Sequence, residues 1–257
     1  MTTRLIAAIA IAATVAAALS CTETKKTPVN PSDYPAIDDI ELGQLRWMLK
    51  LGAQPVDDFA NFDSENQGGL SAYRYAIAFG VYFLAAEQYH KLPAWTDAIR
   101  PAMDTLSRKL LEKKVWEYWA QTSRGIPNLE PTMDQPYPES HDPVGEKNIM
   151  YSGHVGQVIN LFQMLYRDKK WDLPGSITYR WDDSESHIYD NASLIEVMRA
   201  QMQDNTWHGI CCEPNAIFPE CNQHPVLAFL LYDKTHGTKV YDGASPLYFD
   251  FFQNAGF

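Results

Sequence analysis

Basic residues are scarce in this chain. Its 257 residues carry 21 Lys and Arg against 32 Asp and Glu, a formal charge of -11. A chain this acidic lacks the basic stripe that phosphate backbones require, so nucleic acid is not an expected partner. Cysteine is scarce as well, and four residues are too few for a disulfide scaffold. The sequence contains no Gly-rich phosphate loop and no His-x-x-x-His pair. These absences fit a reading without a cofactor. Period-2 alternation of any length and internal repeats are missing too, so no strand is expected. What is plentiful is apolar and aromatic surface: 46% hydrophobic residues, 12% aromatic, seven Trp and 14 Tyr. That composition excludes disorder and fibrous repeats and suits an aromatic-lined cavity or a thick helical core within one globular domain.

The first 20 residues read as an export signal. Arg4 is followed by an almost unbroken apolar run from Leu5 to Leu19, which is short for a membrane span of about 20 residues. Ala18-Leu19-Ser20 satisfies the small-x-small rule of ordinary signal peptidase. It also precedes Cys21 in an arrangement resembling a lipoprotein box, with Leu19 off-pattern. Export to the periplasm or the exterior is expected on either reading, with a lipid anchor at Cys21 on the second. Residues 21–36, with prolines at 28, 31 and 35, read as a linker, and 37–257 as the catalytic domain.

Helical spacing dominates the rest. Ile40–Gly52, Leu70–Ala86, Pro93–Lys113 with a kink at Pro101, Asn148–Arg167, Asp190–Gln203, Pro225–Lys234 and Ser245–Asn254 make seven expected helices. Leu70–Ala86 is apolar nearly all round and should be buried on every side. Trp116–Asp142 reads as a long loop and Asp204–Asn222 as irregular. The class is all-α.

Chemistry concentrates in two segments. In Gly209-Ile-Cys-Cys-Glu-Pro-Asn-Ala-Ile-Phe-Pro-Glu-Cys-Asn222, Cys212 and Cys221 lie nine apart across a Pro-containing loop. Cys221 precedes an expected helix start, where partial positive charge favours thiolate. Glu213 offers a proton carrier and Asn215 an amide to orient it. Two other readings of the segment stay open. One is a disulfide, although with Cys21 lipidated the remaining three thiols cannot all pair. The other is zinc on His208, Cys212, Cys221 and His224, whose spacing matches no common motif. In the second segment, Asp142-Pro-Val-Gly-Glu-Lys-Asn-Ile-Met-Tyr-Ser-Gly-His154, Tyr151 and His154 share a helix face and Gly153 clears space beside them. A His poised near neutral pH beside a Tyr is a competent proton shuttle.

These two segments, with Tyr232-Asp233, His236-Gly237-Thr238, Tyr75-x-Ile77-Ala78-Phe79 and Lys114-Val115-Trp116-x-x-Trp119, resemble the linalool dehydratase/isomerase family over roughly Leu70 to Asn254. The resemblance implies an α/α toroid of six-hairpin type, a chamber for a small apolar (terpenoid-type) alcohol or alkene, and cofactor-free loss or addition of water. It implies Cys212, Cys221, His154 and Tyr75 as catalytic residues. Tyr151, Glu213, Asn215, Phe218 and Asn222 are candidates for binding or orienting the substrate. The family also uses an Asp and a Tyr six apart ahead of the Tyr75 position; Arg46–Phe62 holds no such pair, and Asp57 and Asp58 are merely nearby. A dehydratase needs an acid for the leaving hydroxyl, a base for a carbon-bound proton, and a pocket that excludes water. Two further classes are an exported ligand-binding lipoprotein with inert cysteines and a carbohydrate hydrolase using paired carboxylates such as Asp182 and Asp183. A closed ring of hairpins needs more helices than seven. The chain is therefore expected to be an incomplete toroid, completed by self-association or by a missing C-terminal half.

Overall fold

The computed structural model describes residues 30–62, 72–125 and 138–256. The export segment, Cys21 and most of the linker lie outside the described residues, as does 126–137 within the expected long loop. Residues 35–257 form one compact unit; before it, Pro31–Asp33 makes a short 3-10 turn.

Seven helices of 13 residues or more carry the described fold: α1 (Asp39–Gly52), α2 (Tyr73–His90), α3 (Thr96–Lys109), α6 (Ile149–Tyr166), α7 (Asn191–Gln203), α8 (Pro219–His236) and α9 (Val240–Ala255). Two single turns, α4 (Lys113–Trp116) and α5 (Trp119–Thr122), fall between α3 and α6. The all-α class expected from the sequence holds. Asp38 starts α1 with a capping box, its side chain accepting from the Glu41 N–H at 2.8 Å while Glu41 returns a bond to the Asp38 N–H. Asp190 and Ser193 do the same for α7. Asp233 caps α9, accepting from the Val240 and Tyr241 N–H groups at 2.9 Å each, which starts that helix five residues earlier than its apolar pattern suggested.

Two expectations need correction. A small antiparallel hairpin is present, β1 (Ile177–Arg180) with β2 (Ser186–Tyr189), in strands of four residues, too short to register as an alternation. Asp182 folds its turn by accepting from the Ser184 N–H at 2.7 Å and the Glu185 N–H at 3.0 Å. Asp182 and Asp183 thus sit on an exposed turn rather than across a cleft. Second, α8 begins at Pro219, the favoured first position, and not at Pro225, which the helix accommodates internally.

The long helices form an ordered pattern of directions. Helices α2, α6 and α8 run parallel. Tyr75 meets Met150 near the starts of α2 and α6, and Tyr166 meets Gln88 at 3.3 Å near their ends. On α6 and α8, His154 packs against His224 and Gly156 lies against Ala228 one turn further on. The backing helices run the other way. Beside α6, α3 places the Leu110 carbonyl on the Tyr151 hydroxyl at 2.6 Å and Arg100 on Asp168 at 2.8 Å. On another side, α7 places Asn191 on Asn160 at 3.0 Å and Gln201 on the Val144 carbonyl at 2.8 Å. Such alternation is what stacked helical hairpins produce; the closed ring of a toroid is not established by it. Leu45, Ile77, Leu84, Met103, Leu106, Val158, Phe162, Met198 and Phe229 fill the shared core. Lys109 is buried within it. Its ammonium donates to the carbonyls of Pro55 at 2.6 Å, Val56 at 3.3 Å and Asp58, using its three hydrogens to pin the segment after α1.

Far from the helix starts, a polar joint ties the ends of α6 and α8 to α7. His236 Nε2 donates to Asp172 at 2.9 Å, and the other Asp172 oxygen accepts from Gln163 at 2.8 Å and Asn191 at 3.3 Å. The Tyr232–Thr238 motif is occupied with this joint and the α9 cap.

Candidate active site

The parallel helices bring their first turns together at one end. Helix α2 places Tyr75, Phe79 and Tyr82 on one face at i, i+4 and i+7. Helix α6 contributes Met150, His154 and Gln157, and α8 contributes Cys221 and His224. His154, 2% exposed, is the hub. Its Nδ1 is 2.8 Å from the Tyr82 hydroxyl. The Tyr75 and Phe79 rings meet it edge-on at 5.6 and 5.7 Å between centroids, and the His224 ring lies 3.9 Å away. His224 Nδ1 pairs with Gln157 Oε1 at 2.8 Å. Gly153 permits this approach, since a Cβ there would lie 3.0 Å from the Cβ of His224.

The cysteine loop is fastened above this cluster by its own backbone. The Cys212 N–H donates to the Ala216 carbonyl at 2.8 Å and the Ala216 N–H to the Glu213 carbonyl at 3.0 Å, with Asn215 in the left-handed region at φ 60°. Asn222, fully buried in the first turn of α8, accepts from the Ile210 N–H at 2.7 Å. It donates to the carbonyls of Ile210 at 2.9 Å and Phe218 at 3.0 Å. The Ile149 N–H, at the start of α6, donates to the Cys211 carbonyl at 3.0 Å. Cys221 therefore lies inside the first turn of α8, where its side chain hydrogen-bonds that of Cys212. The three described cysteines are free thiols.

Burial sorts these groups into bases and acids. It pushes the His154 imidazole well below its ordinary value, with the neighbouring His224 and Arg74 adding to the effect, and it lowers His224 to about 4. Both are neutral imidazoles at pH 7. The Cys212 thiol is pushed up by its bond to Cys221 and then by burial, Glu213 is raised by burial against the pull of Arg74, and Tyr75 is raised by burial. These groups hold their protons more tightly than in water. Arg74, 2% exposed, stacks its guanidinium 4.4 Å from the Tyr75 ring and 4.1 Å from the Tyr118 ring. Burial raises the Tyr118 hydroxyl to about 12, and it donates to Asn148 at 3.0 Å.

A pH dependence follows. The unfolded chain protonates His224 near the ordinary 6.5, but the folded chain does so only near 4. Between those values the unfolded state binds more protons, so this residue's contribution to stability is full above about pH 6.5 and is lost as pH falls to about 4. The loss amounts to roughly 3 kcal/mol. The drop in melting temperature from pH 7 to pH 4.5 should be visibly smaller in His224→Phe than in the unaltered chain. Equal drops would mean that His224 is not held neutral.

The structure brings Cys212, Cys221, His154, Tyr75 and Glu213 to one end of the helices. Others go elsewhere. Tyr151 is fully buried, its hydroxyl donating to the Leu110 carbonyl and its ring against Tyr179, so it packs the core. Asn222 fastens the loop. Asn215 and Phe218 line an outer groove of about 580 Å³ with Cys211, Lys147 and Trp207. Tyr82, Arg74 and Gln157 are missed by the sequence reading, and His224 enters it only through zinc. The i, i+4, i+7 spacing of Tyr75, Phe79 and Tyr82 was the available signal, hidden in a helix apolar on every side. Among the described residues no three His, Cys, Asp or Glu side chains converge as metal ligands. In comparison with known protein families, residues 74–257 match the family model described as linalool dehydratase/isomerase.

Proposed function

The chain belongs to the linalool dehydratase/isomerase family, and from that premise we propose that it dehydrates or isomerises a small apolar allylic alcohol by acid–base catalysis without a cofactor. The observation that supports this most directly is the pairing of a neutral, buried imidazole with the proton-holding Cys212 thiol, hydrogen-bonded to Cys221, at an aromatic wall. In the dehydration, the Cys212–Cys221 pair, with Tyr75 and Glu213 beside it, donates a proton to the substrate hydroxyl. The C–O bond breaks and water leaves with that electron pair. His154 Nε2 takes a proton from the neighbouring carbon, and the C–H pair becomes the new double bond. Returning the His154 proton to the acid restores the site, so the net change is loss of one water. Isomerisation differs in that water returns at the far end of the allylic system. Tyr82 fixes the His154 ring through Nδ1, leaving Nε2 for the substrate.

The test is conversion of tertiary and primary allylic alcohols of graded chain length by the purified full chain, followed by gas chromatography. Alkene or rearranged alcohol should form, and chelators should leave the rate unchanged. Activity lost in chelator and restored by zinc would replace proton transfer with metal catalysis.

A further inference from the structure

His224 lies outside the motif that carries the family resemblance, and the reaction above leaves it without a task. Its surroundings are nevertheless built. Its Nδ1 faces the Gln157 amide oxygen at 2.8 Å. An amide oxygen only accepts, so Nδ1 carries the hydrogen and Nε2 keeps a lone pair. Among the described residues Nε2 has no hydrogen-bond partner, and unlike His208 Nδ1 it is not sealed away from solvent. The ring packs against His154 at 3.9 Å with Tyr82 at 6.1 Å on the same side, and its root presses on Gly153 of α6. Cys221 stands three residues earlier, so thiol and imidazole share one face of α8.

We propose that His224 is the residue that binds the substrate's hydroxyl, accepting its hydrogen at Nε2 and holding the oxygen beside the Cys221 thiol. The oxygen's own lone pairs then face the proton donor. The site would thus select molecules bearing a free O–H over hydrocarbons of the same shape, because a hydrocarbon seated there takes water from Nε2 without replacing its hydrogen bond. Gln157 is a positioning residue in this scheme, acting through the tautomer it imposes on His224. The inference rests on the reading that the site handles an alcohol, and its test does not require turnover.

Binding of a saturated tertiary alcohol and of the hydrocarbon with the same carbon skeleton is measured by tryptophan fluorescence on the full chain, alongside His224→Phe and Gln157→Leu. The unaltered chain should prefer the alcohol. His224→Phe, which keeps a ring in the stack, should lower that preference about tenfold with hydrocarbon affinity unchanged. Gln157→Leu should lower it by a smaller factor and keeps the question open to test if the Phe variant does not fold. An alcohol preference that survives both substitutions, or none in the unaltered chain, overturns the assignment. Absence of product from every allylic alcohol, with the preference present and lost in His224→Phe, removes the proposed reaction and leaves the hydroxyl site standing.

Discussion

Cys221→Ala should lower turnover by about a thousandfold, in the range that a positioned proton carrier contributes. Helical circular dichroism should be unchanged, because the side chain is small and Ala suits a helix. Cys212→Ala should match it within a few fold, since the two thiols hydrogen-bond one another and act as a unit. The double variant should then be little worse than either single one. Rates near those of the unaltered chain in either variant would remove the thiols from the reaction, leaving Tyr75 and Glu213 as the remaining acids.

The second large effect is on the frame that holds those thiols. Asn222→Leu keeps the volume but strips both partners from Ile210, whose N–H and C=O are buried and have Asn222 as their ligand. Two stranded backbone groups should cost about 3 kcal/mol of stability. The Cys212 loop should loosen with it, so activity should fall more steeply with temperature than the melting curve alone explains. Urea denaturation gives the first quantity and rate against temperature the second. A Leu variant as stable as the parent would show that water replaces the amide and that the loop does not depend on it.

What could be read in the sequence followed local periodicity. The long helices were visible because most show apolar residues at helical spacing over about three turns. The hairpin at Ile177–Tyr189 was not, since four-residue strands offer too few positions for an alternation. The start of α8 is ambiguous in the sequence because two prolines compete for the first-turn position; the Asn222 N–H bond to the Phe218 carbonyl at 3.2 Å places it at Pro219. Cys212, Cys221, His154 and Glu213 were legible as reactive types near turns. Tyr82 and Gln157 were not, because each acquires its role from a residue many positions away in the chain, Tyr82 by the bond to His154 and Gln157 by the bond to His224. Arg74 was invisible for another reason: a buried guanidinium between two phenol rings has no local signature.

Three parallel helices that start at the same place also align their dipoles. Each N-terminus carries roughly half a positive charge, and Tyr75, Met150 and Cys221 mark those of α2, α6 and α8, with the buried Arg74 among them. On the proposed chemistry the end of the bundle is therefore an electropositive place in which to make a carbocation. Negative charge left on an acid that has given up its proton is eased there, whereas a free cation on the substrate is penalised. On the proposed reaction such a field would tie departure of water to capture of the carbon-bound proton by His154. Such coupling keeps the substrate from lingering as an ion that could rearrange or trap solvent at several carbons. The proposed reaction would then give a single alkene rather than the mixture that the same alcohol yields in acid.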